Sequence, residues 1–245
     1  MIHSVKNICT RLLFPPKCPA CGKLLNEQEK ERKTARGFCG FCAEETVFAK
    51  EPVCKKCGKP LADEAGEYCA DCQDRQRSFE QGKALYVYSG PVQIAMYRLK
   101  YSGRKAIAGP MAEEAAEIFG AWLRLKKIEA IVPIPMYRRK EKKRGYNQAD
   151  VIAKALGTAC RIPVDKKLLV RSRNTAPQKG LSGEERRRNL KNAFHAQADD
   201  VKFNCILLVD DIFTTGATVD SAAAALKRVG VQQVFVFCIC TGRGF

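Results

Sequence analysis

Eight of the thirteen cysteines stand in four CxxC pairs, Cys18/Cys21, Cys39/Cys42, Cys54/Cys57 and Cys69/Cys72, and nothing else in the chain limits the fold of its first third so tightly. A tight knuckle aims two sulfurs at one ion, and a second knuckle completes a tetrahedral set. "CPACGKLL" and "CKKCGKPL" place glycine after the second cysteine, where the turn needs a residue tolerant of positive φ. Seventeen residues separate the first two pairs and eleven the last two, the pattern of two successive ribbon sites. Consecutive pairing closes shorter loops than an interleaved arrangement and is the expected one. Two structural zinc ions follow. With all eight thiolates used in closed sites, no coordination position is left to activate water, and chelation should unfold the module.

The cysteines also bear on compartment. The N-terminal stretch "MIHSVKNICTRLLFPPKC" is too short and interrupted in its apolar character for an export signal or a membrane span, and no run of 18 apolar residues occurs. A reducing, cytoplasmic setting and thiolate ligation are therefore expected in place of disulfides. From Cys18 to about Arg77 no hydrophobic period is sustained, so this part cannot build much core alone. The expected organisation is an amphipathic segment over 1–17, a double zinc ribbon over 18–80 and a larger domain over 81–245.

The formal charge is +17. Two four-thiolate zinc sites, each carrying about minus two, would lower it to roughly +13. Between Tyr137 and Lys191 there are seventeen Lys and Arg against five acids, which suits nucleic acid or a substrate with several phosphates.

In the larger domain "ALYVY" (Ala84–Tyr88) reads as a strand. Val92, Ala95, Met96 and Leu99, and then Met111, Ala115, Ile118, Phe119 and Trp122, recur at helical spacing. From Glu129 strands and helices alternate: "AIVPIP", a helix from Asn147 to about Ala159, "KLLV", "CILLVD", a helix over Thr215 to Val229, and "VFVFCIC". Near-continuous apolar strands between amphipathic helices predict an α/β fold with a parallel sheet covered on both faces, where ligands bind beyond the carboxyl ends of the strands.

At one such end stands "ILLVDDIFTTGAT", Ile206 to Thr218. Its turn opens a helix, so backbone amides join the hydroxyls of Thr214, Thr215 and Thr218 and the first-turn Ala217 in a phosphate cradle, with Gly216 allowing close approach. Asp210 and Asp211 repel phosphate but suit vicinal hydroxyls or a magnesium ion. A phosphate and a diol together describe a ribose 5-phosphate.

"LLVDDIFTTGAT" resembles the phosphoribosyl pyrophosphate motif of type I phosphoribosyltransferases. The whole chain resembles the ComF family of competence proteins, through the cysteine pairs, "VPIPMYRRKEKKRGYNQA" from Val132 and "RSRNTAPQKGLSGEERRRNLKNAF" from Arg171. The resemblance implies a phosphoribosyltransferase-like domain in which the paired acids hold the ribose hydroxyls and the hydroxyl loop the 5-phosphate. It implies a pyrophosphate contact from Arg144, Gly145 and Tyr146, with Arg138 to Lys143 as a basic rim. It implies a closing loop in which Arg171, Arg173, Thr175 and Gln178 approach the leaving group. It further implies a role in DNA uptake during natural transformation, with single-stranded DNA and the uptake machinery as partners.

Two other readings stay open. One is an active phosphoribosyltransferase in nucleotide metabolism, its acceptor bound by a hood for which Tyr86 to Trp122 is the candidate. The other is a zinc-ribbon nucleic-acid binder with an inactive sheet domain, its bases stacked on Phe38, Phe41, Phe48, Tyr68 or Phe79 unless these pack around the metal. His3 and His195 have no catalytic setting, and Cys9, Cys160, Cys205, Cys238 and Cys240 have no activating partner.

Overall fold

The computed structural model describes residues 17–25, 35, 37–73, 75–172, 193–197 and 201–244. Its strands are β1 (Gly82–Val87), β2 (Ala130–Pro133), β3 (Leu169–Arg171), β4 (Phe194–Ala196), β5 (Cys205–Phe213) and β6 (Gln233–Thr241). Its helices are α1 (Gly40–Glu44), α2 (Gly90–Tyr101), α3 (Ala108–Leu125), α4 (Arg138–Arg144), α5 (Gln148–Cys160) and α6 (Ala217–Arg228). Four strands form a parallel sheet in the order β1-β6-β5-β2, with β5 inside.

Both faces of this sheet are covered, which is why its strands are apolar throughout instead of alternating. Leu207, Val209, Phe235 and Phe237 face one core, where α2, α3 and α5 pack; Ile206, Leu208, Val234 and Val236 face a second, where α6 packs. Two aromatics of the second helical stripe pack on the sheet: Phe119 meets Phe237 at 5.9 Å between ring centroids, and Trp122 meets Phe235 at 5.6 Å.

"KLLV" departs from expectation. Leu169–Arg171 pair antiparallel with Phe194–Ala196 in a separate two-stranded ribbon. The open edge of β2 is taken earlier: Ile131 donates its amide to Pro163 and accepts from Asp165. The Asp165 side chain then accepts from the amides of Lys167 and Leu168 and turns the chain away before "KLLV" can join. Within the candidate hood, Tyr86 to Trp122, β1 lies in the main sheet and α2 and α3 cover its first face.

The cysteine clusters straddle the β1 edge. Between them residues 47–49 run antiparallel to β1, with Val87 donating to the Val47 carbonyl and Ala49 to the Leu85 carbonyl, so the edge is not left open. Cys18, Cys39 and Cys42 join the first core, beside α2; Cys54, Cys57, Cys69 and Cys72 join the second. Gly82 donates to the Lys56 carbonyl and Gly244 to the Pro60 carbonyl, so the second ribbon is stitched to both ends of the larger domain. A segment too polar to make its own core is completed by the sheet.

Candidate functional site: acids, a hydroxyl turn and a ribbon behind it

The metal sites come first because one of them supports the other chemistry. The eight sulfurs form two sets, Cys18, Cys21, Cys39, Cys42 and Cys54, Cys57, Cys69, Cys72, each with all its sulfurs within 4.8 Å of one another. The Cys21 and Cys39 sulfurs are 3.5 Å apart and those of Cys57 and Cys69 3.6 Å. That is far from a disulfide and close to the edge of about 3.8 Å that a tetrahedron of 2.3 Å zinc–sulfur bonds requires. Burial pushes the Cys39 and Cys42 thiols up, so a cation is needed to hold that group as thiolates. The donor set fits zinc and pairs consecutively, as the spacing implied.

Beyond Val209 the strand does not stop. β5 runs on through Asp210, Asp211, Ile212 and Phe213, so the acids lie on extended backbone and the turn starts at Thr214. Successive residues of a strand diverge, and the two carboxylates are held differently. Asp211 forms an ion pair with Lys100 at 2.8 Å, while Asp210 bends back to accept the Asp211 amide at 2.8 Å. Burial, and then the adjoining Asp211 carboxylate, push Asp210 up to about 7, against the pull of the Asp211 amide, Lys100 and Arg171. The two carboxylates are thus supported separately, Asp211 by Lys100 and Asp210 by the Asp211 amide.

Lys100 and Arg171 act on these acids, and further cations lie beyond them. Arg171 closes β3 over the Phe194 ring at 5.3 Å; burial lowers its pKa while the charge of Asp210 raises it. Lys140 is lowered by burial and then by the charges of Arg171 and Arg144, which places basic groups from α4 and β3 within electrostatic reach of each other. Burial of Lys100 is outweighed by Asp211 and Asp210, leaving its pKa raised. Arg144 lies with its guanidinium 5.1 Å from the Tyr101 ring centre, and Gly145 ends α4 with φ of 84°.

The turn itself is braced from behind. Gly216 caps α6 with φ of 76°, and a Cβ there would come within 2.6 Å of the Phe213 ring and 3.3 Å of Arg77 Nη1. Glycine is thus required by the left-handed backbone and by what lies beneath it, besides any approach of a ligand. Arg77, 7% exposed, donates from Nη2 to the carbonyls of Thr215 (2.9 Å) and Asp71 (2.6 Å), and Asp71 lies between Cys69 and Cys72. The Asp220 side chain of α6 accepts the Ser78 amide at 2.6 Å, and Phe79 packs edge-on against Phe213. Thr214 stays exposed, Thr215 and Thr218 are half-buried, and Ala217 is buried at the first turn. The amides of that turn have no acceptor within the helix.

The remaining expectations distribute as follows. Tyr146 is buried and its hydroxyl donates to the Leu99 carbonyl, tying the corner after α4 to α2 beside Lys100. Asn147 caps α5 by accepting the Ala149 amide and donates to the Ile134 carbonyl; the next residue, Gln148, is 3% exposed with an amide nitrogen that meets no acceptor among the described residues. Arg173, Thr175 and Gln178 lie outside the described residues. His195 is exposed on β4, while Cys205, Cys238 and Cys240 are buried in the core. Sequence reasoning missed Lys100 and Arg77. Each belongs to an element far along the chain from the acids, and no local motif marks it.

Residues 9–73 match the double zinc ribbon domain family and residues 126–244 the phosphoribosyl transferase domain family. Competence protein F of Haemophilus influenzae is 31% identical over 206 residues, covering 82% of this chain and 89% of its own length. DNA utilization protein YhgH of Escherichia coli K12 is 32% identical over 207 residues, 83% of this chain and 90% of that protein. Competence protein ComFC of Bacillus subtilis is 27% identical over 198 residues, 78% of each.

Proposed function

Because this chain belongs to the family of competence protein F and the DNA utilization protein YhgH, we propose that it works in the cytoplasm on incoming single-stranded DNA during natural transformation, while its sheet domain binds phosphoribosyl pyrophosphate or a related ribose phosphate. One observation carries the ligand: a hydroxyl turn at the start of α6 follows, two residues on, the paired acids at the carboxyl end of an interior parallel strand, with Lys100 on Asp211, Arg171 acting on Asp210, and Lys140 within electrostatic reach of Arg171 and Arg144. The amides and threonine hydroxyls suit the 5-phosphate, the acids the ribose hydroxyls, and the cations the pyrophosphate. The buried amide of Gln148 is a donor that a ligand oxygen or a water would satisfy. Where magnesium accompanies the ligand, its chemistry is to neutralise pyrophosphate charge beside Asp210 and Asp211.

Titration calorimetry of phosphoribosyl pyrophosphate with magnesium tests this. Wild type should bind, and Asp210→Asn combined with Asp211→Asn should weaken binding at least tenfold while affinity for an oligothymidine persists. Equal binding by both proteins refutes the site.

A further inference from the structure

Helix α2 ends with its outer side aromatic. Tyr97 and Tyr101, one turn apart, are 61% and 63% exposed, and their ring centroids lie 5.0 Å apart at 48°. The inward stripe of the same helix, Val92, Ala95, Met96 and Leu99, supplies its packing, so the fold does not need these rings. Exposed large apolar groups are unremarkable singly, but a contiguous pair kept in water marks a contact surface.

The charge around the rings identifies the kind of contact. The Arg144 guanidinium lies over Tyr101, Arg104 and Lys105 follow exposed just past the end of α2, and α4 carries six basic residues with no buried side chain. Rings rimmed by cations match unpaired nucleic acid: bases stack on the rings and phosphates meet the ammonium and guanidinium groups. A duplex keeps its bases stacked on one another and has no open face to offer. The position fits as well, since Lys100, next to Tyr101 in the chain, reaches inward to Asp211. The aromatic surface therefore lies on the same helix that supplies Lys100 to the acid and hydroxyl site.

We propose that Tyr97 and Tyr101 form a base-stacking platform that holds single-stranded nucleic acid along α2, with α4 supplying phosphate contacts. Of the aromatics first considered for this role, Phe38 and Phe79 are buried and Phe48 packs on Tyr86 at 5.1 Å, while Phe41 and Tyr68 are exposed on the two ribbons. The proposal rests on the single-stranded DNA reading above.

The test is fluorescence anisotropy with a labelled twelve-residue oligothymidine, on the full chain. Tyr97→Ala with Tyr101→Ala should lose at least tenfold in affinity, since stacking contributes about 1–3 kcal/mol per base. Tyr97→Phe with Tyr101→Phe should stay within about threefold of wild type, because the ring face is kept. Calorimetry should show phosphoribosyl pyrophosphate binding unchanged in Tyr97→Ala alone, which leaves the Tyr101 ring under Arg144. Equal oligonucleotide affinity in wild type and the alanine variant overturns the platform. No oligonucleotide binding by wild type overturns the DNA reading itself and the platform with it. A dimer in wild type that becomes monomer in the alanine variant by sedimentation, with DNA binding intact, reassigns the face to a second copy of this chain.

Discussion

Asp210 is the residue whose charge works against stability. Its carboxyl titrates near 7 in the folded chain, whereas an unfolded aspartate titrates near 3.9. Between those values the folded chain binds the extra proton, so raising the pH through this window removes stability, and the full cost is present above pH 7. Asp210→Asn mimics the protonated form. It should melt a few degrees above wild type at pH 8, corresponding to roughly 1–3 kcal/mol, and close to wild type near pH 4. Thermal melts at the two pH values check this; equal shifts at both would mean that the carboxylate is not the strained group. The acid pair was legible from sequence as a pair, because strand, acids and hydroxyls are contiguous. Its division between Lys100 and the Asp211 amide was not, because Lys100 arrives from a helix more than a hundred residues earlier.

Among elements, the turn after β5 and the second ribbon act as one unit. Arg77 grips the Thr215 carbonyl and the Asp71 carbonyl with the same nitrogen, and the Gly216 backbone leaves no room between Phe213 and Arg77. Arg77→Lys keeps the charge but lacks the planar fork, so it cannot reproduce the guanidinium's grip. Phosphoribosyl pyrophosphate affinity should fall at least fivefold in this variant, with zinc content by atomic absorption unchanged at two per chain. Unchanged affinity would make Arg77 a packing residue only. The ribbon was visible in the spacing of its cysteines, but its attachment to the turn was not. "KLLV" shows the same limit: its apolar run specified a strand, while Val164 at the β2 edge and the Asp165 turn chose its partner.

Over the whole molecule, the two metal clusters are parts of two different cores on opposite faces of one sheet. Chelation should therefore not release an independent module and leave the sheet intact. A strong chelator should lower the melting temperature of the entire fold in one transition, with hydrogen exchange accelerating in β1 and β6 as well as around the cysteines. Unchanged exchange in β6 would show the ribbons to be separable. No helix among the described residues is long and apolar enough to cross a membrane. The apolar strands determine an α/β protein, and its formal charge is +17.

What the sequence by itself determined is whatever rests on neighbours along the chain: two four-cysteine sets closed by short loops, buried strands, a helix start at a hydroxyl turn, and acids beside it. These follow from loop entropy, side-chain periodicity and the unpaired amides of a helix end, all of which act over a few residues. Only the tertiary structure decided which distant groups meet there. Lys100 on Asp211, Arg77 behind Thr215, and the tyrosines left outward on α2 depend on how helices and ribbons pack on a shared sheet, and that packing is fixed by shape and burial across the whole fold.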